Sequence, residues 1–126
     1  MVPLSRPHTD ERIRRVEHLL QGRFGQDVSV ELIAEELGMS PRNLLRRFKA
    51  ATGHLPGEYL QLLRVSAAKD LLERERTSVQ QVAAAVGYED VAFFRSVFKR
   101  HTGMTPSDYR SRFGPLNVGR GALSYE

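Results

Sequence analysis

The chain has 126 residues, which is enough for one medium domain or two small subdomains that share a core. It contains no cysteine, so disulfides, thiolate metal sites and cysteine nucleophiles are excluded. Its apolar runs are too short to cross a membrane and no secretory signal precedes the folded part, so we expect a cytoplasmic protein. The formal net charge of +4 indicates a polyanionic partner only if the positive residues are clustered.

Helical periodicity and capping residues predict an all-α chain without strands. Ser40 followed by Pro41 is a strong helix start, because proline suits the first helical position. Ser78 with Gln81 fits a capping box. In chain order we expect a leader over residues 1–9, a first helix capped by Asp10 and ending near 22–25, helices over 30–37 and 41–52, a long linker helix over about 57–75, helices over 79–86, 91–101 and 106–113, and a flexible tail over 114–126.

The long linker helix is predicted to bury one apolar stripe along its length. Leu55 is a poor cap, so the start of this helix is its least defined boundary. The expected inward positions are Tyr59, Leu60, Leu63, Ala67, Leu71 and Leu72.

The sequence contains an internal repeat. Residues 29–59, the first repeat, align with residues 78–109, the second repeat, whose turn is one residue longer. Each copy has a short helix, a turn containing glycine and a second helix, which is helix-turn-helix geometry. The aligned pairs are Val30 with Val79, Ile33 with Val82, Ala34 with Ala83, Leu37 with Val86, Leu44 with Phe94, Phe48 with Phe98, Lys49 with Lys99, Thr52 with Thr102, Gly53 with Gly103, Pro56 with Pro106 and Tyr59 with Tyr109.

One such copy is equally consistent with a DNA-binding motif and with ordinary packing of two helices. Two copies with matching small, glycine and aromatic positions favour DNA binding. Helical solenoids also have internal periods, but they usually need three or more units, and here the long helix interrupts the period.

Charge is segregated between the two helices of the first repeat, as a helix lying against phosphates requires. The first helix carries Glu31, Glu35 and Glu36 without a base, and the second carries Arg42, Arg46, Arg47 and Lys49 without an acid.

A helical wheel predicts which side of each second helix is buried. The predicted buried residues are Leu44, Phe48 and Ala51 in the first repeat and Phe94, Phe98 and His101 in the second.

The chain resembles the DNA-binding domain of the AraC/XylS transcription regulators over roughly residues 10–113. The most specific part is "VAAAVGYEDVAFFRSVFKRHTGMTPSDYR", residues 82–110, and "IAEELGMSPRNLLRRFKAATGHLPGEYL", residues 33–60, follows the same plan. The resemblance implies seven helices, with two helix-turn-helix units joined by one long helix. It also implies a sequence-specific regulator that inserts both recognition helices into adjacent major-groove segments of double-stranded DNA.

The resemblance also assigns contacts by position. Many family members have Phe-Ser-Arg where this chain has Phe94-Arg95-Ser96, so a guanine contact does not carry over to the second repeat. The implied base-contacting residues are Arg42, Leu45 and Arg46 in the first repeat and Val91, Ala92, Phe93 and Ser96 in the second. The candidates for phosphate contacts are Asn43, Arg47, Lys49, Arg95, Lys99 and Arg100.

Further partners follow from the same resemblance. RNA polymerase is a candidate partner, and such regulators usually carry an effector-sensing or dimerisation domain that has no counterpart in this sequence. The chain is therefore interpreted as a stand-alone regulator or as the C-terminal part of a longer one. We expect no cofactor and no metal site, because the four histidines lack the i, i+4 spacing of helical ligands.

Two other function classes stay open at the level of the sequence. A helical protein–protein adaptor would use the basic face only as a solvated surface. A serine hydrolase is suggested by Ser66-Ala-Ala-Lys69, which matches S-x-x-K, but the partner motifs Ser-Asp-Asn and Lys-Thr-Gly are absent from the sequence. We therefore expect no enzymatic activity.

Overall fold

The computed structural model describes residues 8–115, and this range contains seven α-helices and no strand. The predicted all-α class with seven helices is therefore confirmed. Most of the predicted leader and tail, residues 1–7 and 116–126, lies outside the described residues. The helices are α1 Glu11–Arg23, α2 Val30–Glu36, α3 Pro41–Thr52, α4 Pro56–Arg74, α5 Val79–Ala85, α6 Val91–Thr102 and α7 Pro106–Phe113.

Side-chain caps determine where most of these helices begin. The side chain of Asp10 accepts a hydrogen bond from the backbone N–H of Ile13, and the hydroxyl of Ser40 accepts one from Asn43. These bonds satisfy N–H groups that have no partner inside the helix. The capping box predicted at Ser78 and Gln81 is present, with hydrogen bonds in both directions.

The chain divides between Arg64 and Val65 into two units, each with its own buried residues. Unit 1 contains α1, α2, α3 and the first half of α4. Large side chains of α3 and α4, Phe48 and Tyr59, meet in its core with ring centroids 5.3 Å apart in an edge-to-face arrangement. The core of unit 1 consists of Ile13, Val16, Leu20, Ile33, Ala34, Met39, Leu44, Phe48, Tyr59 and Leu63.

Unit 2 contains the second half of α4 together with α5, α6 and α7. Phe98 of α6 meets Tyr109 of α7 with ring centroids 5.5 Å apart, which repeats the arrangement in unit 1. The buried hydrophobic residues of this unit are Val65, Ala68, Leu72, Val82, Ala83, Val86, Tyr88, Phe94, Val97 and Phe98.

The single apolar stripe predicted for α4 is only partly correct. Tyr59, Leu63 and Leu72 are buried as expected, but Leu60, Ala67 and Leu71 are only half-buried. Val65 and Ala68 are buried instead, at 4% and 0% exposure. The reason is that α4 crosses the boundary between the units, so its two halves pack in different cores.

In each unit a tyrosine hydroxyl is bound to a glutamate of an earlier helix. The Tyr59 hydroxyl donates to the Glu17 carboxylate at 3.0 Å, and the Tyr109 hydroxyl donates to the Glu73 carboxylate. Burial, together with the adjacent carboxylate, raises the pKa of Tyr59 and of Tyr109 to about 12. The Tyr59 and Tyr109 pair that the repeat revealed in the sequence therefore has the same packing role in both units.

Candidate nucleic-acid interface

The turn between α2 and α3 presents α3 at the surface of unit 1. Gly38 has φ 67°, a left-handed conformation that residues with a Cβ rarely adopt. The next residue, Met39, donates its backbone N–H to the Ala34 carbonyl at 2.9 Å. Ala34 is fully buried, and its small side chain lets the two helices cross closely. α2, the turn and α3 thus form a helix-turn-helix.

The second repeat uses the same turn. Gly87 has φ 105°, and Tyr88 donates its backbone N–H to the Ala83 carbonyl at 2.9 Å, the same distance as in the first repeat. α6 then begins after Asp90, whose carboxylate accepts the N–H groups of Ala92 and Phe93. The extra residue predicted in this turn therefore lies after the hydrogen bond that joins the turn to the first helix, and that bond is unchanged. The residue that caps the second helix differs, Ser40 in the first repeat and Asp90 in the second.

The buried faces of α3 and α6 differ slightly from the helical-wheel prediction. Thr52 is buried in α3 whereas Ala51 is only half-buried, and Val97 is buried in α6 whereas His101 is only half-buried. The Thr52 hydroxyl donates to the Phe48 carbonyl at 2.8 Å, which satisfies its polar group inside the core. Because the remaining predicted core residues are buried, both helices present the predicted outer faces to solvent.

The base-contacting candidates of the first repeat are all on the exposed side of α3. Arg42, Leu45 and Arg46 are exposed, and Leu45 is 38% exposed despite its apolar side chain. Arg46 donates through Nη2 to the amide oxygen of Asn43 at 2.5 Å. Asn43, a candidate for a phosphate contact, is half-buried and already accepts this bond in the free protein.

The candidates of the second repeat form a less polar surface. Ala92, Phe93 and Ser96 are exposed and Val91 is half-buried. The Phe93 ring is 50% exposed. The Ser96 hydroxyl donates to the Phe93 carbonyl at 2.9 Å, so its proton is already used inside the helix.

The candidates for phosphate contacts are placed differently from one another. Lys49, Arg95, Lys99 and Arg100 are exposed. The Lys49 ammonium lies 3.3 Å from the Gly53 carbonyl at the end of α3, where a positive charge is favourable to the helix dipole. Lys49 adds positive charge to α3, and Arg95, Lys99 and Arg100 add it to α6.

Arg47 is a candidate for a phosphate contact that already has a charged partner within the protein. Its guanidinium donates two hydrogen bonds to the Asp10 carboxylate, at 3.1 Å through Nε and 2.8 Å through Nη2. Burial alone would raise the pKa of Asp10, but the bonds from Arg47 and from the backbone N–H of Ile13 outweigh it, and that pKa is lowered. A phosphate that binds Arg47 would have to compete with this carboxylate.

Sequence reasoning missed the Arg47–Asp10 pair and the support of Phe93 by Tyr88, whose rings are 5.8 Å apart. The alignment of the repeats could have indicated the Arg47–Asp10 pair, because Arg47 aligns with Val97, which is fully buried. That match places Arg47 near the core, where a long cation needs a partner.

The other chemical signals in the sequence do not combine into a site. Ser66 is half-buried on α4, separate from any second motif of a serine enzyme. Across residues 8–115 no cluster of three or more potential metal ligands occurs. None of the helices described is long and apolar enough to span a bilayer.

Comparison with known proteins agrees with this geometry. A protein-family model described as "Helix-turn-helix domain" matches residues 33–112. Over 103 residues the chain is 35% identical to the HTH-type transcriptional activator RhaS of Escherichia fergusonii, and the match covers 82% of this chain but 37% of RhaS. The chain therefore spans little more than a third of that relative's length.

Two solved structures have a similar fold. The C-terminal domain of AraT, a response regulator from Geobacillus stearothermophilus, superposes with a TM-score of 0.82 at 29% identity, over 87% of this chain and 92% of that one. The DNA-binding domain of AdpA, solved in complex with a target DNA, superposes with a TM-score of 0.74 at 32% identity, over 90% of this chain and 98% of that one. With the family model covering most of the folded part, the chain belongs to the AraC/XylS-type helix-turn-helix domain family.

Proposed function

We propose that this chain is a sequence-specific double-stranded DNA-binding module of a transcription regulator, and that α3 and α6 each enter a major-groove segment. The observation that carries the proposal is the exposed outer face of α3. There Arg42, Arg46 and Lys49 project from a helix without acidic residues, while Glu31, Glu35 and Glu36 lie on the preceding helix, α2. The positive charge of such a face is complementary to the negative DNA backbone. Its side chains can also donate hydrogen bonds to acceptor atoms on the base edges.

The relatives support this function. RhaS is described as a transcriptional activator, and the AdpA domain was solved with a target DNA. From the positions assigned by the family resemblance, we propose that the base contacts come from Arg42, Leu45 and Arg46 in α3 and from Val91, Ala92, Phe93 and Ser96 in α6. The phosphate contacts come from Lys49, Arg95, Lys99 and Arg100. Asn43 and Arg47 contribute less to phosphate binding, because they are also bound to Arg46 and Asp10 within the protein.

Several features of the whole regulator belong to the same proposal. An effector-sensing or dimerisation domain would account for the remaining length of relatives such as RhaS, of which this chain matches 37%. RNA polymerase is the second macromolecule that a transcription activator has to engage. The module would work in the cytoplasm, associated with the nucleoid when bound to DNA, and without catalytic activity.

The deciding experiment is selection of bound sequences from a random duplex pool, followed by affinity measurements over a range of salt concentrations. A phosphate-binding protein should lose affinity linearly in log–log coordinates, with a slope of about −0.9 per neutralised phosphate. Selection of one motif with two essential parts is the expected result. No enrichment, or binding without salt dependence, would favour the adaptor function instead.

A matched pair of variants controls for bulk charge. Arg42→Ala with Arg46→Ala should abolish enrichment of the motif, because both arginines among the proposed base contacts of α3 are removed. Arg12→Ala with Arg15→Ala removes the same charge from exposed positions of α1 and should leave the motif unchanged. A serine-reactive probe applied to the protein and to its Ser66→Ala variant tests the hydrolase alternative, and we expect no labelling of either.

A further inference from the structure

Phe93 lies on the first turn of α6 with its ring largely outside the core. The ring is 50% exposed, whereas Phe94 and Phe98 of the same helix are fully buried. Single exposed apolar residues are common on proteins, so exposure alone does not indicate a function. The surroundings of this ring are more informative.

The Phe93 ring packs against a buried aromatic residue of the preceding turn. Tyr88, which is 7% exposed, packs against Phe93 with ring centroids 5.8 Å apart at an interplanar angle of 64°. Edge-to-face contacts of this kind are favourable for aromatic pairs. Phe93 is therefore a supported aromatic surface at a fixed place on the helix.

The polar groups closest to the ring are already engaged within the helix. The Ser96 hydroxyl donates to the Phe93 carbonyl at 2.9 Å. The backbone N–H groups of Ala92 and Phe93 donate to the Asp90 carboxylate at 2.9 and 3.2 Å. The first turn of α6 thus offers a methyl group and an aromatic ring to a ligand, and few hydrogen-bond donors.

Positive side chains accompany this apolar surface. Arg95, Lys99 and Arg100 are exposed on the following turns of α6. The matching ligand has an apolar group set within a polyanion. In the major groove the apolar group that bases present is the 5-methyl of thymine, and residues on the first turns of a recognition helix are those that reach base edges.

We infer that Phe93 recognises the 5-methyl group of a thymine in the half-site bound by the second repeat. The inference rests on the proposed function and deepens it by naming the base chemistry that this repeat reads. Readout in the second half-site then depends on methyl contacts, in contrast to the hydrogen-bonding arginines of α3.

The test replaces thymine by deoxyuridine, one position at a time, in the duplex selected from the random pool. This change removes a single methyl group and keeps the base pair. At one or two positions under the second repeat we expect affinity to fall about fourfold. This factor corresponds to the free energy gained by burying one methylene group. Changing such a T·A pair to C·G should also weaken binding, and 5-methylcytosine in place of that cytosine should recover about the same factor.

Variants assign the effect to the residue. Phe93→Ala should bind the thymine and uracil duplexes with equal affinity, whereas Leu45→Ala, an exposed apolar residue of α3, should keep the difference between them. The inference is overturned if the chain binds its selected duplex but no uracil substitution under the second repeat matters. It is also overturned if Phe93→Ala keeps the uracil effect or leaves DNA affinity unchanged, which would point to a protein partner for this face. Failure to select any duplex would instead refute the proposed function.

Discussion

The second helices of the two repeats, α3 and α6, are held by the same contacts on their inner sides. Thr52 and Thr102 each donate a hydroxyl proton to the carbonyl four residues earlier at 2.8 Å. Phe48 and Phe98 each meet a tyrosine ring edge-to-face, at 5.3 and 5.5 Å. These contacts close a core, so the same solution serves both units.

The outer sides of the two helices differ at the equivalent places. Asn43 and Arg46 of α3 are joined by a side-chain hydrogen bond that orients a guanidinium outward. The equivalent Phe93 and Ser96 of α6 present a half-exposed ring and a hydroxyl bound to its own helix. The comparison teaches that folding constrains the inner face of such a helix, and that the outer face is free to adopt a different binding chemistry in each repeat.

The largest expected effect tests the inner faces. Phe48→Ala and Phe98→Ala should each lower the free energy of unfolding by about 3–5 kcal/mol, because each leaves a large cavity in a closed core. Denaturant unfolding measures the change. Phe93→Ala is the control and should cost clearly less, about 0.5–1.5 kcal/mol, since the residue is half-exposed and loses mainly the edge-to-face contact with Tyr88. A cost for Phe93→Ala equal to that of Phe98→Ala would contradict the division into inner and outer faces.

Arg46→Ala tests the outer face of α3. It should weaken binding to the selected duplex by about 1–3 kcal/mol and relax the preference at one base pair, because arginine can bind guanine with two hydrogen bonds. Affinity for single-base variants of the duplex measures both effects.

Ser96→Ala is the matched change in α6 and should cost less, with the preferred sequence nearly unchanged. The second half-site should tolerate A·T pairs and depend partly on DNA shape. If Ser96→Ala relaxes specificity more than Arg46→Ala, or if the second half-site contains invariant guanines, then Arg95 reaches the bases and our comparison of the two faces is wrong.

Arg47→Met should lower the free energy of unfolding by about 1 kcal/mol, since it removes the partner of Asp10, which caps α1. A double-mutant cycle with Asp10→Asn measures the coupling. Lys49→Met removes the same charge from an exposed position and should cost less. Additive effects of the Arg47 and Asp10 changes would show that the pair does not stabilise the protein and would return Arg47 to the phosphate contacts.

Lys99→Ala should make the slope of log affinity against log salt shallower by about 0.9, the contribution of one phosphate contact, while the preferred sequence stays the same. Arg47→Met should change the slope less, because the Arg47 guanidinium is already bound to the Asp10 carboxylate. An unaltered slope for Lys99→Ala removes that residue from the phosphate contacts.

A further effect appears only at alkaline pH. The pKa of Tyr59 and of Tyr109 is about 12 in the folded protein, above the ordinary value of 10.0. Their contribution to stability is complete below pH 10 and should decline as the pH rises towards 12, because only the unfolded chain then releases these protons readily. Unfolding measured across this range should show the decline, and Tyr59→Phe or Tyr109→Phe should make it shallower.

Much of this fold could be predicted from the sequence because its signals are local. The caps at Asp10, Ser40 and Asp90 bind N–H groups two or three residues away, so the residues that start each helix are adjacent in the chain. The repeat then assigned the buried rings of both units and the outward positions of α3 and α6. Exposure of the candidate base contacts, apart from the half-buried Val91, followed from helical periodicity alone.

The remaining features depend on contacts between residues distant in sequence. Arg47 and Asp10 are 37 residues apart, and the pairing depends on how α1 lies against α3, which no local pattern encodes. Likewise the burial of Val65 and Ala68 depends on where α4 passes from one core to the other. The sequence by itself determined the helices, their caps and the faces open to a ligand. Only the tertiary structure decided that Arg47 is already paired with the Asp10 carboxylate, because an ion pair requires both charges to be brought within hydrogen-bonding distance.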